Sequence, residues 1–198
     1  MGIRSLTRAG IASGVKRSNA WDAYTVPNNG IELIAQQIYT SNGGASAIVF
    51  SNIPQTYSHL YILSKFRDLD SSNTDISFTT ITLNGASANS ETNATFGIGT
   101  GTISTNKYQN SCYGTPIQRG NGPSGAYAVT LTDIPFYTVA GREKHFTWSC
   151  GVTGTSTYGF MGNAVVYNGT TNAITSIQID PGNNGWAAGS MIQLYGVK

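Results

Sequence analysis

Two histidines, nine carboxylates and two cysteines are the side chains with which this 198-residue chain could do chemistry. His59 and His145 stand in no HxxxH or HxH pair, so a zinc site would need convergence over long range. Each is read as a surface or hydrogen-bonding residue. Asp68, Asp70 and Asp75 in "RDLDSSNTD" have oxygen-rich spacing. A calcium loop, however, requires a sixth-position glycine and a closing glutamate, and both are missing. The segment is expected to be a solvated loop between strands. Glu32, Glu91, Asp133, Glu143 and Asp180 are scattered, whereas a glycosidase needs two facing carboxylates. "GIGTGT" at Gly97–Thr102 lacks the preceding strand and following helix of a dinucleotide loop and is read as a connection between strands. No P-loop, nucleophile elbow or Cys–His signature is present. Asn93 and Asn168 begin glycosylation sequons, read as coincidental. The expectation is a non-enzyme with no cofactor and no metal.

Cys112 and Cys150 match no zinc spacing; the pair could bridge, and the favoured expectation is two reduced thiols. Eleven tyrosines are the remaining resource. Tyr57, Tyr108, Tyr113 and Tyr158 are read as loop residues. There they could stack on sugar rings or fill a protein interface, or serve simply as good strand residues.

The elements that must position these groups follow from composition. Only 10% of residues are charged, against about 25% in ordinary domains. Ser, Thr, Asn and Gly together supply 85 residues. Long surface helices need Glu, Lys, Arg and Ala, so this composition favours strands with hydroxyl outer faces and many turns. Aromatic content of 11% and a net charge of +2 argue against disorder. There is no apolar run of transmembrane length and no secretory h-region. Arg4, Arg8, Lys16 and Arg17 occur with no acid before Asp22, while the remainder is slightly acidic. The body therefore gives no argument for specific nucleic-acid binding.

Residues 1–29 show neither helical nor strand periodicity, yet they contain Trp21 and Tyr24. They are read as an extended anchoring arm. Arg4, Arg8, Lys16, Arg17, Trp21 and Tyr24 would be the partner-binding residues, and the alternative is an arm folded back on its own domain. Residues 30–198 read as one domain. Strands are expected at Ile31–Tyr39, Ser46–Phe50, His59–Arg67, Ile76–Leu83, Ala126–Ile134, Lys144–Val152, Phe160–Tyr167, Ala173–Asp180 and Met191–Val197. A weak one is expected at Thr102–Tyr108 inside a Gly/Thr/Asn-rich stretch, 86–125. No helical pattern joins them. The expected fold is all-β: an antiparallel β-sandwich of jelly-roll type, with apolar faces inward and Thr/Ser/Asn faces toward water or a partner.

Several segments resemble a family of tailed-phage virion proteins. They are Ala173–Ile177 ("AITSI"), Gly189-Ser190 followed by Leu194-Tyr195-Gly196-Val197, the strand pair in Phe50–Asp68, and "TLNGASAN" at Thr82–Asn89. The opening resembles the N-terminal arm of cyanophage members. The "TLNGASAN" segment lacks that family's acid and tyrosine. The resemblance implies a non-enzymatic virion component, assembled in the host cytoplasm. Its role would be capsid decoration or cement, as a homotrimer contacting the major capsid protein or other virion proteins. The alternative is a tail-fibre or baseplate tip that binds a host surface glycan. No membrane contact is implied.

Overall fold

A computed structural model describes residues 30–198 apart from 45–46, 70–75, 86–89, 99–102, 110–112, 119–124, 154–156, 168–170 and 182–184. All regular elements among the described residues are strands, and none is a helix. In chain order they are β1 (Ile31–Ile38), β2 (Ile48–Phe50), β3 (His59–Phe66), β4 (Ile76–Leu83), β5 (Ser90–Ile98), β6 (Ile103–Gln109), β7 (Tyr113–Gln118), β8 (Ala128–Pro135), β9 (Lys144–Thr153), β10 (Thr157–Tyr167), β11 (Ile177–Asp180) and β12 (Met191–Val197). Most of them match the expected strands. The exception is the 86–125 stretch, where one weak strand was expected and β5, β6 and β7 are found. Thr and Asn carry no apolar alternation there. The ladder is a backbone property, and β5 obtains hydrogen bonds from both β10 and β6.

The pairing is nested. β1 pairs with β12, β2 with β11, β3 with β8 and β4 with β7, all antiparallel. The nested ribbon then rolls up, so that β12 also pairs with β3, and β11 with β4. Two antiparallel sheets result, ordered β1-β12-β3-β8-β9-β10-β5-β6 and β2-β11-β4-β7. They pack together as a β-sandwich. Strands β9, β10, β5 and β6 extend the large sheet beyond β8.

Period-two burial fixes which side chains meet. Leu60, Ile62 and Phe66 of β3, with Ile192 and Leu194 of β12, point inward. They share one core with Ile48, Phe50, Ile81, Leu83, Ile177 and Ile179 of the small sheet. Each such side chain contributes roughly 1.5–3 kcal/mol on burial. Strand β8 departs from the expected division of faces. Ala128 and Ile134 set its inward parity, so Thr130 and Thr132 are buried while Val129 and Leu131 face out at 51% and 46% exposure. The parity follows from cross-strand register, because Phe66 pairs with Ala128 and Leu60 with Ile134.

Two polar corners lock the ends of strands. Asn84 adopts a left-handed φ of 52° at the exit of β4. Its Oδ1 accepts hydrogen bonds from the backbone of Thr175 (2.8 Å) and Ser176 (3.2 Å), and its Nδ2 donates to the Ala173 carbonyl (2.8 Å). One side chain thus holds the irregular run before β11, where a strand from Ala173 was expected and regular structure begins only at Ile177. At the other corner, Trp186 is fully buried between Tyr39 and Phe66, with ring centroids 5.9 and 4.7 Å away. The buried Ser190 hydroxyl accepts from the Arg67 amide (3.1 Å), and the Ser190 carbonyl accepts from the Tyr39 amide (2.9 Å). Gly189 has a φ of 85°, and a β-carbon there would overlap the Tyr127 hydroxyl. Replacing Asn84 by Ala leaves two amides and a carbonyl without their partner and removes a residue tolerant of positive φ. Asn84→Ala is expected to cost about 2–4 kcal/mol in urea unfolding. Asn84→Asp keeps the acceptors and should cost about half as much.

Candidate functional site

The residues that the sequence nominated fall in different places. Arg4, Arg8, Lys16, Arg17, Trp21 and Tyr24 lie outside the described residues, as do Asp70, Asp75 and Cys112. Asp68 corrects an expectation. It is 1% exposed rather than solvated, because the backbone after β3 bridges to Trp186 and the Leu69 amide donates to Gly185 (3.1 Å). Tyr57, expected in an exposed loop, is buried, and its ring lies on Gly196, where a β-carbon would overlap it. Tyr108, Tyr113 and Tyr158 lie in strands β6, β7 and β10. Cys150 is a free, buried thiol on β9. Of the carboxylates, Glu32 pairs with Lys198 at 3.1 Å. That partner and the Tyr57 hydroxyl hold its carboxyl below the ordinary range. Asp133 lies 3.7 Å from Nδ1 of His59. Among the described residues no three His, Cys, Asp or Glu side chains gather as a metal site would require.

The structure does bring Glu143 and His145 together, with residues the sequence did not nominate. Between β8 and β9 the chain turns at Phe136-Tyr137-Thr138. Tyr137 plunges into the core, where its hydroxyl donates to the Pro54 carbonyl and its own carbonyl accepts from the Ile174 amide (2.8 Å). Its neighbour Phe136 is thereby turned outward. Phe136 has a φ of 52° and 67% exposure, a left-handed conformation that costs a non-glycine residue roughly 1–2 kcal/mol. The Phe136 carbonyl accepts from the Val139 amide at 3.1 Å, closing the turn. Beneath it, the buried Lys144 ammonium donates to the Val139 carbonyl, and burial pushes its pKa down.

A cavity of ≈ 530 Å³ opens at this corner, lined by Pro135, Phe136, Val139, Arg142, Glu143 and His145. The His59 ring sits 5.9 Å from Phe136 at 40°. Arg142, Glu143 and His145 are all exposed. Strand β9 places His145 outward and Phe146 and Trp148 inward, as its alternation predicts. The arrangement offers an aromatic face, a planar cation, a carboxylate and an imidazole around an apolar floor. It suits retention of a small polar molecule. Sequence alone carried no sign of it, since "PFY" after a strand reads as an ordinary strand end. The outward throw of Phe136 depends on where Tyr137 is anchored.

No family model, curated protein or solved structure matches the chain.

Two outcomes follow from this geometry. Phe136→Gly relieves the left-handed backbone and loses little buried area. It should raise stability by about 0.5–1 kcal/mol in chemical denaturation. Burial pushes the Cys150 thiol up to about 11. The neutral thiol is therefore favoured in the fold. Its stabilisation is intact below the unfolded value near 9 and is lost as pH rises toward about 11. Unfolding free energy should fall across that window by up to about 2–3 kcal/mol, and Cys150→Ala should remove this part of the slope.

Proposed function

We propose that the chain is a non-enzymatic structural protein of a phage particle, a capsid decoration or cement protein attached through residues 1–29. The observation that carries this reading is the outer face of the large sheet. Cross-strand register sets four rows across β1, β12, β3 and β8: Ile38-Met191-Lys65-Val129, Gln36-Gln193-Leu63-Leu131, Leu33-Tyr195-Tyr61-Asp133 and Ile31-Val197-His59-Pro135. Only Lys65 and Asp133 bear a full charge among these positions. Ile31, Leu33, Ile38, Val129 and Leu131 are exposed. Contiguous apolar surface of this kind is characteristic of protein–protein contact. A face so poor in charge suits another copy of itself, in keeping with a homotrimer.

The strand order supports a jelly-roll reading. Without the inserted β5-β6 and β9-β10, eight strands remain as a nested hairpin, pairing first with last and so on inward. Rolled up, they give the two four-stranded sheets β1-β12-β3-β8 and β2-β11-β4-β7. The resemblance segments supply corners and core: Asn84 clamps Thr175 and Ser176, Ser190 ties Arg67, and Gly196 receives Tyr57. They are framework residues, as a structural protein requires. In the arm, Arg4, Arg8, Lys16 and Arg17 would meet carboxylates of the major capsid protein or another virion protein. Trp21 and Tyr24 would fill apolar pockets, offsetting the entropy of ordering.

A tail-fibre or baseplate tip that binds a host glycan is the second reading, favoured by the cavity beside Phe136. Copy number separates the two: hundreds per particle for decoration, tens or fewer for a tail component. Deleting residues 1–29 should abolish particle binding and leave the melting temperature of the body unchanged. Undiminished occupancy would refute the arm. Val129→Glu with Leu131→Glu alters only exposed positions, so stability should stay within about 0.5 kcal/mol. The mass by light scattering should fall from trimer to monomer, and an unchanged mass would remove the sheet face from the interface.

A further inference from the structure

We infer that the corner between β8 and β9 is a binding site for a carboxylated pyranose, a sugar of the uronic-acid class. The site goes beyond an assembly role, which needs no ligand, and it would give the tail-tip reading its ligand chemistry.

The argument starts from strain. A phenylalanine at positive φ is a costly choice where glycine would serve, and such strain persists at positions where the side chain is put to use. Here the side chain is a large apolar ring, held out in solvent by the anchoring of Tyr137. An exposed aromatic face beside a concavity is what the C–H face of a pyranose stacks upon. The ring buries apolar area there while the sugar hydroxyls remain at the rim. The rim supplies their partners. Glu143 accepts from hydroxyls, and His145 can donate or accept. The volume of ≈ 530 Å³ lies within the ~300–1,000 Å³ range of small-ligand sites, with room for one or two rings.

The preference for a carboxylate rests on the local cations. Arg142 is exposed on the lining and has no acidic partner within ion-pair distance among the described residues. Its guanidinium matches a carboxylate in a two-point contact. Lys144 lies buried behind the wall, where among the described residues its hydrogen-bond partner is the neutral Val139 carbonyl, and Val139 itself lines the cavity. A buried ammonium with no carboxylate within ion-pair distance among the described residues projects positive potential into the space in front. Among the described residues Glu143 is the single acidic one on the lining. It is placed to take a hydroxyl rather than the ligand's own carboxylate, so the sugar is oriented with its acid group toward Arg142.

The test uses the full-length, isotope-labelled protein and two probes, methyl β-D-glucuronide and methyl α-D-galacturonide, with methyl β-D-glucoside as the neutral comparison. At least one uronide should shift backbone amide signals confined to Phe136–His145. The glucoside should bind about tenfold more weakly or not at all, the loss expected for one charge-assisted contact. Arg142→Gln should weaken the uronide about tenfold and erase the difference from the glucoside. Phe136→Gly, which keeps the backbone conformation and is expected to be the more stable protein, should lose binding altogether. A purely structural role for Phe136 would leave binding intact in that variant. The proposal is overturned if neither uronide shifts these signals, if the neutral glycoside binds as tightly as the uronides, or if Phe136→Gly binds like the parent. None of these results depends on particle attachment or oligomer mass, so they are separable from failure of the assembly reading.

Discussion

The position of β12 is the constraint on which the rest of the molecule depends. The last strand must enter between β1 and β3, and seven cross-strand pairs on its β3 side then fix the register of the large sheet. Each end of the inserted strand is secured differently. Before it, Trp186 is clamped between Tyr39 and Phe66 while Ser190 ties the ends of β1 and β3. After it, Gly196 lets the Tyr57 ring lie flat on the strand, and the Val197 carbonyl accepts from both the amide (2.7 Å) and the hydroxyl (2.9 Å) of Ser58. A one-residue slip of β12 would turn Ile192 and Leu194 out of the core and unseat both ends together.

With so few charges, the fold relies on neutral side chains that bond to backbone. Asn84, Ser190 and Gln55 each serve two strand ends or loops. Gln55 donates to the Ile53 carbonyl at 2.9 Å and the Ile174 carbonyl at 2.8 Å. Such contacts satisfy backbone groups in the irregular crossings between sheets, where no ladder is available. They are insensitive to salt, unlike surface ion pairs. At the corner after β8, hydrogen bonds joining Tyr137 to Pro54 and Ile174 hold Phe136 in a conformation it would not adopt alone.

Two surfaces stand out against that framework for opposite reasons. The outer face of the large sheet is apolar because the parity of β8 is set from inside. Ala128 and Ile134 go to the core, which leaves Val129 and Leu131 to solvent or to a neighbouring molecule. The corner beyond β8 is small, strained and polar-rimmed. The first surface underlies the proposed contact with protein, and the second the proposed ligand site. They lie on the same sheet, since His59 belongs to the last row of the face and its ring neighbours Phe136.

The sequence by itself determined that the described part of residues 30–198 is built on strands. Low charge, abundant Thr and the alternation in His59–Phe66, Lys144–Cys150 and Met191–Val197 leave no amphipathic helix to form. It also marked the turn at Asn84-Gly85. It did not reveal β5 and β7: β5 is rich in Thr and Asn and β7 carries Gly114 and Pro116, so each is specified by its hydrogen-bonded neighbours rather than by an apolar stripe. It placed Asp68 and Tyr57 in solvent because local polarity cannot show that Trp186 and Gly196, far along the chain, will cover them. The outward turn of Val129 and Leu131 and the exposure of Phe136 were likewise decided only by tertiary structure. Each is set by a partner distant in sequence: β3 for the first pair, and Pro54 and Ile174, through Tyr137, for the phenylalanine.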